Sequence, residues 1–224
     1  PRSYTVNSTN PPNEEEAFRP FLWRFWIKTP PKGKIAIFDR SWYGRVLVGR
    51  VNKLVKKQQW QQAYSEINSF ERQLVNDDNI IIKFFLHIDK KEQEKRFKNL
   101  QKNEATAWKV TKNDWKNHKN YDKFFQATEE MLARTDTAEA PWTIVAAHDR
   151  RYATMKVLNT VTVALEKKLK QVELADSSAK SELVTGVDIP RNSVLDEVDM
   201  SVHLEREEYE QLLKKYQTRI HDLE

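Results

Sequence analysis

Ile35-Ala36-Ile37-Phe38-Asp39-Arg40-Ser41-Trp42-Tyr43-Gly44-Arg45 runs from a short apolar segment straight into an acid, a base and a glycine-containing turn. An unbroken apolar run with β-branched residues reads as a strand buried on both faces. Two further runs have the same character: Ile80-Ile81-Ile82-Lys83-Phe84-Phe85-Leu86 and Trp142-Thr143-Ile144-Val145-Ala146-Ala147. Tyr4-Thr5-Val6 is a short fourth candidate. Helical patterns separate them. Asn13 followed by Glu14, Glu15 and Glu16 is a capped helix start leading to Phe18, Phe21, Leu22, Phe25 and Trp26, with a kink or later start imposed by Pro20. Trp60 to Val75 places Tyr64, Ile67, Phe70 and Leu74 on one side. Asp89 caps a run to Leu100, and Thr111 to Arg134 reads as a long polar helical region. Arg150 to Leu169 reads as a helix with Met155, Leu158, Val161 and Leu165 inward. Strands alternating with helices predict an α/β fold with a parallel sheet covered on both faces.

In open parallel sheets, ligands gather at the carboxyl ends of the strands. Asp39 lies at such an end, where a carboxylate supplies the hard oxygen that Mg²⁺ needs beside phosphates. Arg40, Arg45 and Arg50 follow, and a guanidinium fork matches phosphate geometry while staying charged. Read alone, an Asp-Arg pair is more often a helix cap with surface arginines.

Composition points the same way. The 224 residues carry a net charge of +5 with a mean hydropathy of −0.79. Basic residues concentrate before Gln171, whereas the remainder is acidic. A basic body suits a nucleotide, polyphosphate or nucleic acid, and also suits a merely solvated lysine-rich surface. No cysteine is present, which excludes disulfides, thiolate metal sites and cysteine nucleophiles. No apolar stretch reaches a membrane span and the first residues show no signal peptide, so a cytoplasmic protein with no membrane partner is expected. Ala175 to Ser181 is linker-like, and Leu204 to Leu223 returns to a helical pattern.

Phe38-Asp39-Arg40-Ser41-Trp42-Tyr43 resembles the Walker-B-like signature of the polyphosphate kinase 2 family. Phe21-Leu22-Trp23-Arg24-Phe25-Trp26, Arg134-Thr135-Asp136-Thr137, Ala140-Pro141-Trp142-Thr143-Ile144-Val145 and Asp149-Arg150-Arg151-Tyr152-Ala153-Thr154 resemble further family segments, in family order across residues 1–170. The resemblance implies a P-loop kinase-like parallel sheet flanked by helices, with a helical lid at about 96–121. It implies phosphoryl transfer between polyphosphate and a nucleoside monophosphate with Mg²⁺ as cofactor, AMP being the acceptor of the two-domain members. Asp39 would be the metal-linked acid and Arg40 its catalytic neighbour. Arg45, Arg50, Arg96, Lys109, Lys112, Arg150 and Arg151 would bind phosphate or polyphosphate.

The family's glycine-rich loop is missing: none of Gly33, Gly44, Gly49 and Gly186 belongs to a Gly-x-x-x-x-Gly-Lys, and Gly33-Lys34 precedes a strand instead of following one. The expected organisation is therefore an incomplete kinase domain over 1–170, an acidic linker over 171–203 and, at 204–224, the opening helix of a following domain. Pairing with a second kinase domain or a homo-oligomer is expected, and the isolated segment is expected to be inactive. Two other readings stay open: a catalytically silent structural half of a tandem kinase, and a single-stranded nucleic-acid module built on the Trp, Tyr and Lys residues of 109–123. The five histidines have no metal-ligand spacing.

Overall fold

The computed structural model describes residues 4–178 and 205–221. They fall into two units divided after Ser178. The first unit runs β1 (Tyr4–Ser8), α1 (Glu14–Ala17), α2 (Trp23–Trp26), β2 (Ile35–Asp39), a 3-10 turn (Trp42–Arg45), α3 (Val48–Val51), α4 (Lys57–Asn76) and β3 (Lys83–His87). It continues with α5 (Lys90–Gln101), α6 (Glu104–Ala107), α7 (Lys112–Lys119), α8 (Tyr121–Thr135), β4 (Trp142–Ala146) and α9 (Arg150–Ser178). The second unit contributes α10 (Arg206–His221), which carries an Arg206–Glu210 ion pair along its own surface.

All four expected strands form, and both pairings are parallel. β1 lies beside β2 with Val6 opposite Ile37, and β3 lies beside β4 with Phe85 opposite Ile144. Parallel neighbours need long crossovers, here α1–α2 for the first pair and α5–α8 for the second. Among the described residues the two pairs form separate ladders. Both nevertheless rest on one core, in which Trp42, Tyr43, Val46, Ile67, Phe70 and Met131 are buried and Phe38 and Phe85 pack at its margin. Trp42 sits at its centre, edge-on to Phe70 at 4.9 Å and to Phe25 at 5.7 Å. Each such aromatic pair adds about 0.5–1.5 kcal/mol beyond its buried area.

The helices follow their local chemistry. Asn13 caps α1 reciprocally with Glu16, and the helix stops at Ala17 ahead of Pro20. Asp89 caps α5 by accepting from the Glu92 amide at 2.7 Å. Thr111 and Asp114 form a capping box on α7. α4 buries Tyr64, Ile67 and Phe70, as its periodicity requires, but also Glu71.

Four expectations are corrected. The sheet is not covered on both faces: Tyr4, Val6, Ile35 and Ile37, side by side on β1–β2, are 44–59% exposed. Met155, Leu158 and Leu165 of α9 do not point inward. The half-buried positions of the helix, which packs against β4, are instead Ala153, Val157, Thr160, Val161, Ala164 and Lys168, and Met155 is left 64% exposed. The polar helical region from Thr111 is two helices, broken at Asn120. The helix α9 also continues past Lys170 to Ser178. Of the linker expected over 171–203, residues 179–203 lie outside the described residues. No described helix is long and apolar enough to cross a membrane.

Candidate functional site

The carboxyl ends of the four strands open onto the turns at Thr9, Arg40, Ile88 and Ala147, and short backbone contacts tie these turns in pairs. The Thr9 amide donates to the Asp39 carbonyl at 3.0 Å, and the Ala147 amide donates to the His87 carbonyl at 2.8 Å. Asp39 ends β2 with its carboxylate exposed. Arg40 adopts a left-handed conformation, φ 61°. Such a φ in a bulky residue is strained and is found where the surroundings impose it. The Thr9 hydroxyl holds the Arg40 carbonyl from the β1 side.

On the second pair, His148 accepts the Asp89 amide proton at Nε2, 3.1 Å. Arg96 donates from one terminal nitrogen to the carbonyls of Ala147 and His148, each at 2.8 Å, and from Nε to Glu92. The Tyr121 hydroxyl donates to the Ile88 carbonyl at 2.9 Å. Arg150 and Arg151 begin α9 just beyond, exposed, and line a shallow depression with Thr154 and Met155. Asp149 caps this helix by accepting the Tyr152 amide at 2.9 Å.

The candidate residues thus divide into two groups. Asp39, Arg40, Arg150 and Arg151 are exposed at strand ends or just after them. Lys109 and Lys112 are exposed on the α6–α7 segment, Lys109 lying 5.6 Å from the ring centre of the exposed Trp108. Arg45, Arg50 and Arg96 are instead engaged within the protein. Arg50 makes a 2.6 Å ion pair with Glu130, touches the Tyr64 hydroxyl at 3.2 Å and stacks over Trp60. Burial beside Glu130 in turn pushes the Tyr64 hydroxyl up in pKa. Arg45 lies over the Phe21 ring at 4.5 Å, and burial lowers its guanidinium below the usual range.

Sequence reasoning missed the group beneath Asp39. Glu71 and Lys83, 1% and 5% exposed, form a 2.9 Å ion pair inside the core. One Glu71 oxygen also accepts from the Trp42 indole at 2.9 Å and from the Tyr43 hydroxyl at 2.6 Å. Lys83 donates to Tyr43 at 3.1 Å and to the Thr135 carbonyl at 2.6 Å. Burial, then the Glu71 charge, drives the Tyr43 hydroxyl far up in pKa; burial lowers Lys83 against the pull of Glu71. The one available signal was Lys83 interrupting an otherwise apolar run. His118 is a core histidine, bonded to Gln93 at 2.7 Å and packed on Phe97 and Trp115.

A divalent metal must be judged on its donor set. Among the described residues no three acidic or histidine side chains converge. Mg²⁺ does not require this, since it commonly takes one or two carboxylates and completes its shell with water and phosphate oxygens. A single exposed carboxylate at a strand end fits that pattern, and Asp39 would be the residue to hold such an ion.

Comparisons with known proteins agree with the geometry. Residues 1–173 match the profile of polyphosphate kinase 2. A polyphosphate:AMP phosphotransferase from Pseudomonas syringae is 45% identical over 167 residues, 75% of this chain and 34% of that protein. An AMP/ADP-polyphosphate phosphotransferase from Meiothermus ruber is 37% identical over 74% of this chain and 62% of its own length. The crystal structure of a polyphosphate kinase 2 from Pseudomonas aeruginosa superposes with a TM-score of 0.73 at 44% identity, over 75% of this chain and 36% of that one. The chain spans about a third of the length of the first curated relatives it matches. An α/β arrangement of parallel strands, an acid at a strand end, a basic helical segment within the β3–β4 crossover and these matches lead to one family assignment: the chain belongs to the polyphosphate kinase 2 family.

Proposed function

We propose that this chain supplies the acidic strand end and the basic lid of a phosphotransferase that moves a phosphoryl group between inorganic polyphosphate and a nucleoside monophosphate. AMP is the favoured acceptor, giving ADP, in a cytoplasmic setting. The observation that carries this reading is Asp39: exposed at the carboxyl end of a parallel strand and followed by a conformationally strained arginine. The activities for which the relatives are named support it.

A divalent cation held in part by Asp39 would neutralise phosphate charge. Arg40 holds a guanidinium at the same strand end, and Arg150 and Arg151 add positive charge at the start of α9. Lys109 and Lys112 are free to close over a polyanion and exclude water. A phosphate acceptor is ionised at neutral pH, so no strong general base is needed. Arg45, Arg50 and Arg96, held by protein partners, we assign to keeping these elements in place. The phosphate-cradling loop we assign to sequence beyond these residues, joined to this unit as a tandem domain or by pairing.

Losing a preorganised set of charge-stabilising donors costs about 10²–10³ in rate. The 224-residue chain assayed with polyphosphate, AMP and Mg²⁺ is therefore expected to form ADP at least about a hundredfold more slowly than the longer polypeptide carrying the loop. Equal rates would show that the cradle is dispensable and would overturn this division of labour. A second reading, a structural half, is favoured by the internal engagement of three arginines; substitution of Asp39 separates the two.

A further inference from the structure

We propose that Glu71 is a positioning residue for the turn carrying Asp39 and Arg40, a role that rests on the phosphotransfer reading above. The turn is strained. A left-handed conformation is unfavourable for a non-glycine residue, so Arg40 stays there only if the chain is held on both sides. Upstream, Thr9 of the β1 turn binds the carbonyls of Asp39 and Arg40. Downstream, Ser41 is extended and offers no side-chain cap, so the next fixed points are Trp42 and Tyr43. Both end on the same Glu71 oxygen, at 2.9 Å and 2.6 Å. Glu71 projects from the 20-residue helix α4, a rigid support. Its second oxygen is pinned by Lys83 at 2.9 Å, and Lys83 is fixed in turn by the Thr135 carbonyl at the end of α8. Trp142 reaches the Thr135 hydroxyl at 3.0 Å and joins β4 to the set. One carboxylate thus ties the turn after β2 to α4, β3, α8 and β4.

Stability alone does not account for this arrangement. A buried ion pair is often matched or bettered by apolar residues of similar volume, because two charges must first be taken out of water. What an apolar pair cannot supply is one acceptor aimed at two ring donors. Two double variants separate these roles. Glu71→Met with Lys83→Met removes both charges and the acceptor. Glu71→Gln with Lys83→Met removes both charges and keeps a carbonyl oxygen.

Two readouts apply. Amide exchange is measured in the 224-residue chain at Gly44, Val46 and Leu47, whose amides donate to the Ser41 and Tyr43 carbonyls at 3.1 Å, and kcat and KM for AMP in the longer polypeptide carrying the loop. The double-Met variant is expected to fold, to exchange at least about tenfold faster at Gly44, Val46 and Leu47, and to lose at least about tenfold in kcat with KM changed less than about threefold. The Gln/Met variant is expected to recover protection and kcat to within about threefold. Wild-type protection and kcat in the double-Met variant would overturn the proposal, as would a Gln/Met variant no better than it. Should the double-Met variant not fold, Tyr43→Phe removes one tether while keeping the ring, and unchanged exchange and kcat there would equally overturn it. If the wild type itself shows no transfer, the functional reading fails, while the exchange comparison still decides whether Glu71 holds the turn.

Discussion

At the scale of single residues, the sequence displayed the exposed chemistry and hid the buried chemistry. Asp39 and Arg40 could be read as candidates because a strand end followed by charge is a local pattern. Glu71 could not, because its burial depends on Trp42, Tyr43 and Lys83 arriving from other segments. Arg45, Arg50 and Arg96 looked free for the same reason: their partners Phe21, Glu130 and the carbonyls of 147–148 are distant in sequence. Removing one member of a buried pair strands the other charge in the core. Lys83→Ala is therefore expected to lower unfolding free energy by about 3–5 kcal/mol, measured by denaturant titration. A loss below about 1 kcal/mol would mean that Glu71 is neutralised or rehydrated without its partner.

At the scale of elements, the strands and capped helices were legible because they obey local rules: apolar runs for β2 to β4, Asn13 for α1, Asp89 for α5. Which face of α9 is buried was not, since that helix carries two apolar stripes and only packing on β4 chooses between them. The α5 cap has a pH consequence. Asp89 lies below its ordinary 3.8 because it accepts the Glu92 amide, and Glu92 lies below its ordinary 4.5 because Arg96 donates to it. A carboxyl depressed in the folded state contributes stability that is complete above its unfolded pKa and is lost as pH falls through the folded value. Protection of α5 amides should accordingly be constant above about pH 5 and decline below about pH 4. In Asp89→Asn the part due to the cap should disappear. An acid-side decline identical in that variant would assign the effect to other carboxylates.

At the scale of the whole molecule, the parallel α/β architecture followed from the alternation of strands and helices, but the openness of one face of β1–β2 did not. Apolar runs say that a strand can be buried, and Tyr4, Val6, Ile35 and Ile37 are not buried by any described element. Substitutions should reflect this directly. Ile37→Thr is expected to change the stability of the 224-residue chain by no more than about 0.5 kcal/mol, whereas Phe70→Ala, in the closed core, should cost about 3–5 kcal/mol. In the longer polypeptide the same Ile37→Thr should cost more than about 1 kcal/mol if added sequence covers this face. Equal small effects in both proteins would show that the face stays open.

Asp39 is the acid proposed to serve phosphoryl transfer, and every other assigned role depends on it. The most direct test is Asp39→Asn in the longer polypeptide, assayed for polyphosphate-dependent formation of ADP from AMP across a Mg²⁺ titration. The side chain is exposed, so the variant should keep the wild-type melting temperature while kcat falls by at least about a hundredfold. Wild-type turnover with an unchanged Mg²⁺ dependence would contradict the account and leave this chain as the structural half of its enzyme.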